Sequence, residues 1–130
     1  MHRAVMPAAL GDPPARYAHA VLTESPGRWL HTSGVVPVRA DGTVADSVAG
    51  QAATVWDTIS TLLAEVDMGP ADIISVTTYV VAGAAAAGLG QAMARRDAFL
   101  AGQLAASTLV TVPALAQPAW LIEIAVIAAS

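Results

Sequence analysis

From Val48 to Val66 the apolar positions recur at spacings of 4, 3, 4, 3 and 4: Val48, Ala52, Val55, Ile59, Leu62 and Val66. That is one face of an amphipathic helix, widened by Trp56 and Leu63. Asp46 or Ser47 can cap its start, and Gly69-Pro70 is set to stop it. The other long apolar segments follow strand rules. Asp72 to Ala82 is rich in β-branched residues, and Ser107 to Val112 is a shorter strand closed by Pro113. Trp120 to Ala128 is apolar except for Glu123, which predicts a strand covered on both faces. Alternation puts Glu123 on one face with Leu121, Ala125 and Ile127, and Ile122, Ile124 and Val126 on the other.

The first half reads as turns and short strands. Residues 1–15 carry Pro7, Gly11, Pro13 and Pro14, an extended arm or loop whose outermost part is 1–12. Arg16 to Thr23 is a strand with Tyr17, His19 and Val21 on one face. Glu24 to Gly27 is a Pro-Gly turn, and Arg28 to Val36 is the return strand, so the two predict a hairpin. Pro37 ends free pairing, and Ala40 to Thr43 turns again. Gly83 to Leu89 is Ala/Gly-rich and carries little signal. A second helix over Gly88 to Ala101 is expected to bury Leu89, Met93 and Leu100, with Phe99 beside them. The order is ββ-α-β-α-ββ: an α+β domain with a mixed sheet, two helices on one face, and a parallel strand–helix–strand crossover.

Composition changes the picture in one respect. The 130 residues fit a single domain, 1–130, but 55% are apolar and only 12% charged, where about a quarter is usual. So little charge leaves a sizeable surface for association, and the uncovered sheet face is its natural place; a homo-oligomer is expected. No apolar run approaches the roughly 18 residues that span a bilayer, and residues 1–7 lack the apolar core of a signal peptide, so no membrane partner and a cytoplasmic location are expected.

Charge and residue types exclude several chemistries. There is no Lys for Schiff bases and no Cys for thiolates or disulfides. The six Arg are scattered on a chain of net charge −4, so no basic stripe tracks phosphates and no nucleic-acid partner is expected. His2, His19 and His31 have no metal-ligand spacing. Glu123 stands out: a carboxylate in an apolar strand either points into water at an open rim or serves a site.

Several pieces taken together resemble the Rid family (YjgF-like, reactive-intermediate deaminases). They are Tyr17-Ala18-His19-Ala20-Val21, Ser33-Gly34-Val35-Val36-Pro37, Gln51, Asp72 to Val80, Ser107 to Val112, and Ile122-Glu123-Ile124-Ala125-Val126-Ile127-Ala128. The resemblance covers about residues 13–130. It implies a chorismate-mutase-like subunit, a homotrimer whose sheets form a central barrel, and clefts between subunits. It implies hydrolysis of enamines and imines to ketoacids and ammonia, with no metal and no organic cofactor. Glu123 matches the family's water-orienting glutamate, and Tyr17 a cleft-lining tyrosine.

The departures from the family pattern bear on specificity. The Arg that grips the substrate carboxylate is replaced by Ser107, or by Ala106 if the register slips by one. The Gln after Ser-Gly is Val35, and an Asn of the second helix is Met93. Arg recognises carboxylates through a planar fork that Ser lacks. The expected substrate-binding set is Tyr17, His19, Val35, Met93 and Ser107 around a catalytic Glu123. Ser107 would serve as a hydrogen-bond donor to a carbonyl. Tyr17 reads equally as a packed aromatic, His31 as an ordinary strand residue, and Trp29, Trp56 and Trp120 as packing. Arg95-Arg96 reads as a solvated helix face, although an Arg from this helix could reach a cleft between subunits. Two functions stay open. One is an enzyme that adds water to, or moves a proton on, a small imine, enamine or carbonyl ligand other than ordinary amino-acid imines. The other is a small-molecule-binding trimer without turnover.

Overall fold

The C-terminal apolar run becomes the strand against which the sheet is built. The computed structural model describes residues 1–130. Its strands and helices are β1 (His2–Val5), β2 (Ala20–Thr23), β3 (Trp29–His31), α1 (Val48–Glu65), β4 (Ile73–Val81), α2 (Ala82–Leu100), β5 (Ala106–Val112) and β6 (Ile122–Ala129). Four strands form one sheet in the order β3-β6-β4-β5, and β1 pairs with β2 separately. β6 lies antiparallel to both β3 and β4, so those two run parallel to each other with β6 between them. β4 and β5 are parallel neighbours. The chain therefore crosses over twice, through α1 and then α2, stepping the same way across the sheet. Crossovers of one hand stepping in one direction put both helices on one face. The expected α+β layering is what is found.

β6 alternates between the two faces as its sequence dictates. Ile122, Ile124, Val126 and Ala128 are buried under the helices, while Glu123, Ala125 and Ile127 are half-buried on the free face. β4 contributes Ile73, Val76, Thr78 and Val80 to the buried side. α1 meets them with Val48, Ala52, Val55, Trp56, Ile59 and Leu63. Leu62, expected inside, is 39% exposed, and Leu63 takes the inner position. Ser47 caps α1, its Oγ accepting from the Gly50 N–H at 3.0 Å. The helix stops before Gly69-Pro70: Asp67 takes the left-handed conformation at φ 56°, and the Met68 N–H closes on the Leu63 carbonyl.

Gln51 joins this helix layer to β6. It is 1% exposed. Its Nε2 donates to the Ala45 and Ala119 carbonyls at 2.9 Å each, and its Oε1 accepts from the Leu121 N–H at 2.7 Å. One side chain thus fixes the loop before α1 and the residues leading into β6.

Three expectations are corrected. β2 and β3 do not form a hairpin: the edge of β2 is taken by β1, in the register His2 to Thr23 through Val5 to Ala20, and β3 goes to β6. The turn that joins them is instead anchored at the other end of the chain, because the Gly27 and Arg28 N–H groups both donate to the Ser130 carbonyl. The arm itself holds β1, and His2 Nε2 donates to the Ala129 carbonyl at 2.8 Å. The second helix begins at Ala82, directly after β4, because a run of Ala favours helix once the crossover supplies a surface to pack on. Its buried stripe is Gly88, Ala92, Arg96 and Leu100 rather than one centred on Met93. Gly88 lies against α1, where a Cβ would come within 2.5 Å of Val48 Cβ. Leu89 and Phe99 pack at the margin of the core, and Phe99 stacks on Trp56 at 4.7 Å between ring centroids.

Replacing Gln51 should unfasten α1 from β6. Gln51→Ala is expected to lower unfolding free energy by about 2–4 kcal/mol, from lost packing and backbone groups left short of partners. Gln51→Leu refills the space without the hydrogen bonds and should recover only part of it. Urea unfolding followed by far-UV circular dichroism measures both; a loss under about 1 kcal/mol for Gln51→Ala would show that the tie is dispensable.

Candidate active site

The strand after β3 breaks where it passes Glu123. His31 pairs with Ile127 and Val35 with Ile124, so residues 32–34 stand opposite residues 125 and 126. This is a bulge. Thr32 closes its upper edge, its N–H donating to the Val126 carbonyl at 3.1 Å and its Oγ1 accepting from the Val126 N–H at 3.0 Å. Val35 closes the lower edge through two backbone bonds with Ile124. Between them the N–H groups of Ser33 and Gly34 have no backbone partner. Gly34 faces the Glu123 carboxylate so closely that a Cβ there would overlap Glu123 Oε2. The missing side chain is what lets the carboxylate lie across the bulge.

Glu123 is half-buried, and no side chain or backbone group of the chain donates to it. Directly opposite on β4 is Tyr79, on the same free face. The result is a carboxylate beside two unengaged N–H donors and a phenol. Such a set can take a proton from water while hydrogen-bonding a polar atom of a ligand. None of the surface hollows of the chain, each about 200–230 Å³, is lined by Glu123.

The other expected residues lie elsewhere. Val35 is 7% exposed and its side chain belongs to the core; what this position adds to the bulge is backbone. Ser107 pairs with Val76, a buried residue, and so faces the helices, opposite to Glu123. Following the pairing Glu123–Tyr79–Val110 and then three residues back along β5, the two backbones are about 14 Å apart. Tyr17 is half-buried near the start of β5, because the Ala18 N–H donates to the Ala105 carbonyl at 3.0 Å. Met93 is half-buried on α2, one turn before Arg96. His19 is exposed, with Nε2 2.8 Å from the Gly11 carbonyl. The site residues thus fall into two groups within one chain. One is Glu123 at the bulge, joined by Ser33, Gly34 and Tyr79, none of them in the expected set. The other is Ser107 with Tyr17 at the start of β5.

Sequence reading misses two residues, one beside each group. Tyr79 was legible only as part of a strand, since its register against Glu123 depends on β6 entering the sheet antiparallel. Arg96, expected on a solvated face, is 3% exposed, and its Nη1 donates to Ser107 Oγ at 3.2 Å. Its place in the i, i+4 stripe Gly88-Ala92-Arg96-Leu100 is the available signal, obscured because the Ala/Gly run hides the first six residues of the helix. No group of three His, Asp or Glu side chains converges to hold a metal, and no helix is long and apolar enough to cross a membrane.

Comparison with known proteins agrees with this architecture. The Rid-family protein YyfB from Yersinia pestis is 32% identical, superposes with a TM-score of 0.89, and the match covers 99% of this chain and 98% of that one. A YjgF-family protein from Neisseria meningitidis is 26% identical with a TM-score of 0.68, over 99% of this chain and 94% of the other. The YjgF gene product of E. coli is 26% identical with a TM-score of 0.69, over 95% and 92%. No curated protein sequence matches the chain. The family model described as Endoribonuclease L-PSP matches residues 7–130, and on that match and the likeness to YyfB the chain belongs to the YjgF/Rid family.

Proposed function

We propose that this protein works as a homotrimer in which the Glu123 bulge of one subunit faces the β5 end of another. In that assembly it acts on a small imine, enamine or carbonyl compound. The observation that carries the reading is the Glu123 corner: a carboxylate without a donor from its own chain, lying over Gly34 beside free N–H groups. A chain that holds an acid this way, against a mostly apolar strand, has the parts for water addition. For an imine, Glu123 takes a proton from water as the water oxygen bonds to the C=N carbon and the π electrons pass to nitrogen, and then delivers that proton to this nitrogen, giving a carbinolamine. Glu123 next takes the hydroxyl proton as C=O forms and the C–N bond breaks with its electron pair on nitrogen, and passes that proton to the departing nitrogen. The products are a carbonyl compound and ammonia, and no cofactor is consumed.

Trimer formation is supported by three features. The two groups of site residues cannot meet within one chain, the free sheet face is uncovered, and charge is scarce. The family description names a ribonuclease. With six scattered Arg, no Lys and a net charge of −4, this chain offers phosphates no track, which favours a small-molecule ligand. A trimer that binds such a ligand without turning it over is the second reading, favoured by the loss of the family Arg at Ser107.

Light scattering at micromolar concentration should give the mass of three 13.1 kDa chains; a stable species at the mass of one would overturn the assembly. A panel of imines and enaminones, with ammonia release as readout, separates the enzyme from the binder. Once a substrate is found, Glu123→Gln, which keeps the shape and removes the titrating proton, should lower kcat by about 10²–10⁴. An unchanged rate would reduce Glu123 to a hydrogen-bonding role.

Ligand choice follows from the β5 end. A substrate carboxylate must shed water to enter, and Ser107 answers it with one neutral hydroxyl. Hydrogen bonds to charged groups contribute roughly 1.5–3 kcal/mol each, so imines of ordinary amino acids should be turned over about 10²–10⁴-fold less efficiently than by a relative bearing the Arg. Generating 2-iminopropionate or 2-aminoacrylate in place and timing ketoacid release for both proteins measures this. Equal rates would refute it.

A further inference from the structure

Arg96 is a buried cation on a chain with few charges, and its contacts tie together three segments. It projects from the core-facing stripe of α2 and is 3% exposed. Nε and Nη2 both donate to Asp97 Oδ1, at 3.1 and 2.9 Å. Nη2 also donates to the Arg16 carbonyl at 3.4 Å, and Nη1 to Ser107 Oγ at 3.2 Å. The Arg16 carbonyl belongs to the peptide bond leading into Tyr17. The next residue, Ala18, is joined to the start of β5 by its N–H on the Ala105 carbonyl. One guanidinium therefore holds α2, β5 and the Tyr17 segment at a single point.

We infer that Arg96 is the positioning residue of the β5 end of the site: it fixes the segment that carries Tyr17 and fills the cation slot in front of position 107. Three properties lead there. The segment from Pro13 to His19 has no regular strand pairing of its own, so its placement depends on isolated ties. The planar fork of Arg reaches three acceptors in different directions, which the point charge of a Lys does not. And Asp97, next in the chain, engages two of the five N–H groups, so the charge is countered internally and is not on offer to a ligand. An Arg at 107 would bring a second cation beside the first at a half-buried position, where like charges repel. Ser at 107 and Arg at 96 are then two halves of one arrangement, in which the cation comes from the helix and stays structural. The inference rests on the proposed function only where Tyr17 is given a ligand to touch; the positioning itself can be measured without turnover.

The test uses the full-length protein and two readouts that need no substrate. In Arg96→Met, exchange of the Ala18 amide and tryptic cleavage at Arg16–Tyr17 should accelerate by about tenfold or more, with the amides of β6 unchanged. Arg96→Lys should fall between Met and the parent. It also serves should the Met variant fail to fold. Glu123→Gln should leave both readouts alone, which separates this inference from the catalytic reading. Ser107→Arg should lower the melting temperature in the parent but not in the Arg96→Met background. With a substrate in hand, Arg96→Met should raise KM more than it lowers kcat. Unaltered exchange and cleavage in both Arg96 variants, or a Ser107→Arg protein that melts with the parent, would overturn the proposal.

Discussion

The alternation of β6 is the constraint on which the rest depends. Its even-numbered residues are sealed beneath the helices, so the odd-numbered ones have no choice but the free face, and a slip of one residue would drive Glu123 into the core. Burying that carboxylate unpaired would cost several kcal/mol, so the acid helps to hold the register that exposes it. Position in the sheet does the remainder. With β3 on one side and β4 on the other, the acid is met by a bulge from the first and by Tyr79 from the second. Core and site are two faces of one strand, and neither can be redesigned alone.

How much of this could be read from the sequence follows from how local each signal was. The α1 face, the Ser47 cap and the two faces of β6 rest on spacing within a single segment, and they came through except that Leu62 and Leu63 exchange places and Leu121, expected beside Glu123, precedes β6 and packs against the core. The hairpin between β2 and β3 did not, because a Pro-Gly turn says that the chain bends and not which strand lies beside it. Partner choice was decided by residues far away, His2 on one side and Ser130 on the other. The start of α2 was obscured by glycines that lower helix propensity. Gly88 is explained by Val48, forty residues earlier, and no local rule carries that information. Of the site, the acid was visible as a charge in an apolar run, while Tyr79 and Arg96 needed the register and the helix phase.

The division of the site within one chain gives the protein a particular economy of charge. At the bulge a carboxylate stands without a partner from its own chain, and at the start of β5 a guanidinium stands with one already attached. The first arrangement leaves the carboxylate open to a donor from outside the chain. The second uses charge as a fastener, where its directionality matters more than its sign.

The central position of β6 also bears on how the protein is made. β3, β4 and β5 are all synthesised before the strand that joins β3 to the rest, so through most of translation the sheet has a gap where its middle belongs. α1 cannot settle either, since the strand it covers is β6. A nascent chain in this state carries unpaired strand edges and uncovered apolar side chains, the features by which partly folded proteins find one another. In a crowded cell, the time between the emergence of β3 and the arrival of β6 is when this protein is most exposed to aggregation.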